Sequence, residues 1–251
     1  MEKIKMKNYK SLAQTIYIRK SHRKFSRTPA EILEKDIDLI KAFDIQPLDG
    51  SIRVKVKILR KEEVINKRSD YCIAFYSEEK PHYLENIGFI GQQLDLELQS
   101  KGLGTCWWGM KKPKKEYKRE DGLNCIITMT AGMPYNEQIR SYPDGFIRKA
   151  AKEIIIGESN SLTEAARIAP SAINLQPWLI ENTGNKYNFY LRHPKSLLEK
   201  MIKDIRPIDM GIAIAHLFIQ AKAEGSNASF IYEGKNIPQG KYTGSIIISP
   251  A

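Results

Sequence analysis

Two stretches of this sequence place glycines at the same interval around an amphipathic helix. Gly88 and Gly102 mark the first, Gly211 and Gly225 the second, and the spacing sets Leu94 against Leu217 so that the apolar faces coincide. The surrounding elements recur with them. In the first stretch "SIRVKVKILR" (51–60) alternates with period two and "DYCIAFYS" (70–77) reads as a second strand. Residues 83–101 form a helix with Ile87, Ile90, Leu94 and Leu98 on one face, and "NCIITMTAGMP" (124–134) is a buried strand. Later, "WLIEN" and "KYNFYLR" read as strands, 209–224 as a helix, and "NASFIYEG" and "TGSIIIS" as strands. Pro29 opens a further helix through Ile40, and 160–168 is a short helix ended by Pro170. This pattern constrains the chain to two similar halves, residues 1–140 and 141–251, joined near "PYNEQIRSYPDG" and packed as one intertwined unit.

Composition removes several classes. Hydrophobic residues at 42% and charged residues at 27% are those of a globular chain. No apolar run reaches the roughly 18 residues that a membrane span needs. The start, "MEKIKMKNYK", lacks the apolar stretch of a secretory signal, so the expected location is cytoplasmic, without a membrane partner. Cys72, Cys106 and Cys125 have no CxxC spacing, and His22, His82, His193 and His216 are scattered, so neither a disulfide framework nor a metal site is expected. The net charge of +11 fits nucleic acid, a membrane surface or an anionic small molecule. The densest run, "KKPKKEYKRE" (111–120), reads as a solvated loop, and its lone Tyr117 offers no stacking platform, so nucleic acid is not expected as a partner.

Three stretches can carry chemistry. In "RKSHRKF" (19–25), helical geometry would set Arg19 and Arg23 one turn apart with Ser21 beside them. That is either a solvated basic turn or a grip for a phosphate and a second electron-rich group. "GLGTCWWG" (102–109) supplies flexible backbone and the flat Trp107 and Trp108, as core or as ligand contacts. It follows a helix and lacks GxGxxG spacing, so it is no dinucleotide fingerprint. No His is placed by sequence to activate Cys106. "APSAINLQPW" (169–178) holds Ser171, Asn174 and Gln176 between Pro170 and Pro177, more hydrogen-bonding capacity than a plain turn requires.

Together "RKSHRKF", "GLGTCWWG" and "PSAINLQPW" resemble the signatures of the FMN-dependent nitroreductase family. The resemblance implies an α+β fold, antiparallel sheets sandwiched by helices. It also implies hydride transfer from NAD(P)H to FMN, then electron delivery to a nitroaromatic, quinone or similar small-molecule acceptor. By the same resemblance Arg19 and Ser21 belong to the FMN phosphate end, joined by Arg148 and Lys149 of "RKAAKE", Arg23 belongs to the ring edge, and Lys20 is a further cofactor-binding residue. Trp107, Trp108 and Gly109 would flank the ring, and Pro170, Ser171, Asn174 and Gln176 would meet its rim. No side chain is assigned as a catalytic acid or base, since the flavin carries the chemistry.

One departure from the family pattern is informative. The proline–serine loop stands after the glycine turn here, and the place behind the first helix holds "FDIQPLDG". The chain therefore resembles the single-chain, duplicated branch of the family, an intramolecular pseudo-dimer in which each half keeps one contribution. The expectation is a monomer binding one FMN. Its reciprocal site, built from "EIIIGESNS" and "FDIQPLDG", would present Glu153, Glu158 and Asp49 to a phosphate and a ring. The other readings are a flavin- or nucleotide-binding protein without turnover, and a basic nucleic-acid binder.

Overall fold

The computed structural model describes residues 8–26, 46–65, 69, 71–109, 113–136 and 140–250. The helix expected from Pro29 to Ile40 lies outside them. The N-terminal part of the chain forms α1 (Tyr9–Ile16), β1 (Val54–Arg60), β2 (Tyr71–Ser77), α2 (Tyr83–Ser100), β3 (Gly104–Trp108), β4 (Arg119–Glu120) and β5 (Leu123–Gly132). The C-terminal part forms α3 (Ala151–Ile154), β6 (Ile155–Ile156), α4 (Ser161–Arg167), β7 (Trp178–Asn182), β8 (Lys186–Arg192), α5 (Leu197–Met201), α6 (Arg206–Ala223), β9 (Ser226–Ile231) and β10 (Gly240–Pro250).

Each part supplies one sheet. The first has the order β1-β2-β5-β3, with β4 also paired to β5, and the second the order β6-β7-β8-β10-β9. Apart from the short parallel pair β6–β7, every pairing is antiparallel. Without β4 and β6 the two sheets have the same connectivity, and α2 and α6 occupy the same place in each. Every residue of β2 is buried, so the strand is inaccessible on both faces. Its near-continuous apolar run is the sequence counterpart of that position.

The two long helices pack directly on each other between the sheets, and glycine sets how close they come. A Cβ on Gly88 would run into the carbonyl oxygen of Ile208, and one on Gly211 into the carbonyl oxygen of Glu85. Each glycine thus meets the residue three places before the other, a reciprocal contact of the kind two identical helices make across a twofold axis. Burial all round α2 and α6 follows. Even Asn86, Gln92, Gln93, Asp95, Asp209 and His216 are enclosed. Among the described residues no helix is long and apolar enough to cross a membrane.

Three expectations need correction. Residues 19–25 are not helical. They run extended, with Ser21 bridged to Thr105 beside β3 and Phe25 bridged to Pro134. The "GLGTCWWG" segment is open turn only at its ends, since 104–108 is a strand paired to β5. Within the described part of the basic run, Glu120 accepts from both Lys55 (3.1 Å) and Lys57 (2.8 Å), so the segment is tied to the sheet rather than wholly solvated.

Candidate functional site

Extended backbone sends alternate side chains to the same side, and this governs the N-terminal basic segment. Arg19 points inward, where its Nε donates to Asp95 at 2.8 Å. Asp95 is completely buried and is held by further donors: Gln92 Nε2 (2.8 Å), Gln99 Nε2 (3.0 Å) and the Thr105 hydroxyl. Gln92 in turn accepts from the Trp107 indole at 3.0 Å. One buried network therefore fixes both the basic segment and the aromatic wall, and Trp107 stacks on Phe75 behind it (5.6 Å between centroids).

Next to this network lies a cavity of about 580 Å³ of non-atom space, its open mouth included. Ser21, Arg23, Trp107 and Gly109 line one side, and Pro170, Ser171, Ala172 and Ile173 the other. The walls are otherwise apolar, with Ile127, Ile205, Ile208 and Ile212 facing in. Three sequence stretches singled out for their composition thus converge on one concave surface. Cys106 also lines it, and burial raises its thiol pKa, so the group is an inert thiol rather than a ready nucleophile.

Beyond Arg19 the positive charge concentrates. Arg140 and Arg148 both lie over the ring of Phe146, at 5.1 and 5.8 Å from its centroid. Burial first, then the neighbouring Arg140, Arg19 and Arg167, pull the Arg148 pKa down to about 9. Arg140 is lowered by burial and by Arg19 and Arg23. Arg19 Nη2 and Arg140 Nη1 are buried without a hydrogen-bond partner. Two unsatisfied guanidinium nitrogens in a field of like charge mark a place suited to an anion.

The remaining expected residues divide. Asn174 accepts from Arg148 (2.9 Å) and donates to the Ile147 carbonyl (3.0 Å). Gln176 is buried, accepting from the Lys149 backbone N–H (2.7 Å) and donating to the Asn174 carbonyl. Both therefore brace the loop against 147–149, and only Pro170 and Ser171 of the four named loop residues line the cavity. Positive φ at Ile173, Asn174 and Gln176 shows how tightly the loop is wound. Lys149 sends its ammonium to the Leu175 carbonyl (2.8 Å) and lines a separate small pocket with Arg192 and Arg206. Lys20 reaches Asn136 at 3.4 Å, and Trp108 is not among the cavity-lining residues.

Sequence reasoning missed Asp95, Asp209 and Arg140. Asp209 lines the cavity floor, and both its oxygens face the Ala172 N–H at 3.0 and 3.2 Å. A signal for Asp95 existed in the spacing of Gln92, Asp95 and Gln99, which sets three polar side chains along one side of the helix.

A family model described as "Putative TM nitroreductase" matches residues 11–221. Among solved structures, a protein from Thermotoga maritima MSB8 described as a "putative nitroreductase" shares 21% identity, with all of both chains covered and a TM-score of 0.65. At that identity the likeness is one of fold: antiparallel sheets sandwiched by helices over the whole chain. A nitroreductase family protein from Clostridium difficile 630 is 18% identical, covering 61% of this chain and 100% of its own at a TM-score of 0.42. An FMN-dependent nitroreductase from Clostridium difficile R20291 is 16% identical, covering 58% and 98%, with a TM-score of 0.41. No curated protein matches the chain.

Proposed function

The chain belongs to the nitroreductase family described as "Putative TM nitroreductase", and from that premise we propose that it is an FMN-dependent oxidoreductase, passing electrons from NAD(P)H to a nitroaromatic, quinone or similar acceptor. The observation that carries this reading is the pairing of a flat-walled cavity with a cationic end. The cavity has Trp107 and Gly109 on one wall and Pro170 and Ser171 on the other, and the cationic end has two guanidinium nitrogens without partners. A phosphorylated aromatic ring system has this division of needs, an apolar slot for the ring and cations for a dianion.

In this reading Ser21, Arg19, Arg140 and Arg148 hold the phosphate. Arg23, which lines the cavity, supplies positive charge at the ring edge, where reduction builds negative charge. Gly109 keeps the wall low enough for a ring to approach its main chain. Ser171 presents its hydroxyl region to the ring, while Asn174 and Gln176 hold the loop in shape. The flavin, when bound, supplies hydride acceptance and donation, and the chain supplies orientation and field.

We also read the chain as two fused halves, 1–140 and 141–251, working as a monomer with one FMN. Matching strand order and the reciprocal contacts of Gly88 and Gly211 support this. The visible spectrum of the purified protein tests the cofactor, with a flavin-to-chain ratio near one expected and a colourless protein overturning the reading. Mixing the yellow protein with NADH or NADPH in a stopped-flow instrument then separates an enzyme, which bleaches, from a binding protein, which does not. Light scattering tests the monomer.

A further inference from the structure

A positioned acid passes a proton to a reduced acceptor faster than water does, so the ionisable groups lining the cavity matter. Among the described residues there are three: Arg23; Cys106, whose thiol pKa is raised by burial; and Asp209. Asp209 is 3% exposed and fully enclosed at the floor, on the first turn of α6. Its two oxygens share a single backbone donor, the Ala172 N–H. Among the described residues it makes no salt bridge. The nearest cation of its own helix, Arg206, donates instead to the Arg192 carbonyl. One N–H is far too little to hold a buried carboxylate ionised.

The other end of the molecule offers a comparison. Pro47, Asn86 and Gly88 recur at the same intervals as Pro170, Asp209 and Gly211. Asn86 does for its loop what Asp209 does for the loop beside the cavity: its Oδ1 accepts from the Leu48 N–H (2.8 Å) and the Asp49 N–H (3.1 Å). Its amide also donates to the Asp49 carbonyl at 3.3 Å. A neutral amide is thus sufficient to brace the loop. At the position where Asn86 stands in the first half, the second half has an acid that faces a cavity.

We propose that Asp209 is a neutral carboxylic acid at physiological pH and the proton donor to whatever acceptor is reduced in this cavity. Burial is the main cause that lifts its pKa to about 8, offset in part by the Ala172 N–H and Arg206. Arg23 and the Cys106 thiol, whose pKa burial raises, also line the cavity, and the loop 170–173 carries no charge. The donor role rests on the oxidoreductase reading above. A quinone that receives the equivalent of one hydride, with NAD(P)H as its source, becomes a hydroquinone mono-anion and lacks one proton. The Asp209 O–H bond breaks, the proton joins the quinone oxygen, and the carboxylate left behind is reprotonated from solvent at the mouth.

Infrared spectroscopy of the ligand-free protein tests the first half. At pH 6 the wild type should show the carbonyl stretch of a protonated acid that Asp209→Asn lacks, and the band should fade as pH rises through about 8. No difference between the two proteins at pH 6 overturns the proposal. The second half is read by mixing pre-reduced holoprotein with p-benzoquinone. Wild-type reoxidation should slow about tenfold per pH unit above the Asp209 pKa. Asp209→Asn should be at least about a hundredfold slower at pH 7 with a flat profile, and Asp209→Glu should restore the pH dependence. Reoxidation of Asp209→Asn at the wild-type rate and profile overturns the donor role. A protein that takes up no flavin removes the functional reading and the donor role together, while the infrared band still decides whether the proton is held.

Discussion

The two ends of the helix crossing are built alike and finished differently. At one end Gly109, just past β3, faces Ile205, the residue that precedes α6, and a Cβ on it would lie 3.1 Å from the Ile205 methyl. At the other end Tyr232, just past β9, stacks on His82, the residue that precedes α2, with centroids 4.2 Å apart and planes at 28°. The same junction is a bare glycine against an isoleucine in one case and two stacked aromatic rings in the other. The filled end also carries acid where the open end carries isoleucine: Glu85 stands at the spacing of Ile208, and burial raises its pKa. A cavity thus differs from a sealed junction by a handful of side chains, with the backbone plan unchanged.

Breaking the open end at its foundation should have the largest effect. Asp95→Ala leaves Arg19 buried and uncompensated beside three donors that have lost their acceptor, so we expect a stability loss of about 3–5 kcal/mol in denaturant melts. A loss under about 1 kcal/mol would mean that the network does not anchor the wall.

Gly109→Tyr copies the sealed end onto the open one, and flavin affinity should fall about a hundredfold or more, some 2.7 kcal/mol. The converse change, Tyr232→Gly, should leave the flavin-to-chain ratio near one, because Asp49 and Glu85 still oppose an anionic ligand there. A second flavin in that variant would show that ring filling alone distinguishes the ends. A smaller effect is expected from Arg140→Ala: FMN should weaken by roughly 1.5–3 kcal/mol while riboflavin, lacking the phosphate, is held as before. Equal losses for both ligands in a fluorescence titration would take Arg140 out of the phosphate site.

The gentlest probe is pH. The Asp209 pKa is raised to about 8 in the folded chain, so the folded state keeps a proton that the unfolded state releases. Stability from this group is full below the ordinary aspartate range and declines as pH rises towards 8, by at most about 1.4 kcal/mol per unit. His216, enclosed and bonded to the Ala165 carbonyl at 2.9 Å, has its pKa lowered to about 3 by burial. Its contribution is present above the ordinary histidine range and is lost as pH falls towards 3. Asp209→Asn should remove the decline that Asp209 causes between the ordinary aspartate range and about pH 8, and a curve unchanged over that whole range would remove Asp209 as its cause.

The regular elements were legible because their patterns are local. "KYNFYLR" is β8 residue for residue, and "WLIEN" is β7. Basic residues at 19 and 23 fit a helix turn and an extended strand equally well, and the partner that decides, Thr105, is far away in sequence. Helix α1 went unread, with its apolar Leu12 and Ile16 amid polar neighbours and only Asn8 as a cap. Asp95 and Asp209 read as solvent-facing acids in any one-helix view, since it is the opposing sheet and helix that enclose them. Arg140 stands alone in a polar connection, and nothing beside it in sequence announces the cations it joins in space. Of the candidate site, the convergence of Ser21, Arg23, Trp107, Gly109, Pro170 and Ser171 was legible; the groups that tune it were not.

The crossing at Gly88 and Gly211 brings two different sequences face to face in an arrangement that identical ones also satisfy. In an assembly of identical subunits any substitution enters twice, once on each side of the axis, and a change that improves one wall is imposed on its mate. Here each change enters once. Gly109 can stay bare while Tyr232 is bulky, and Asp209 can ionise while Asn86 cannot. Two different sequences at one crossing therefore separate two demands that a twofold assembly couples: one end can keep a cavity while the other is free to become core.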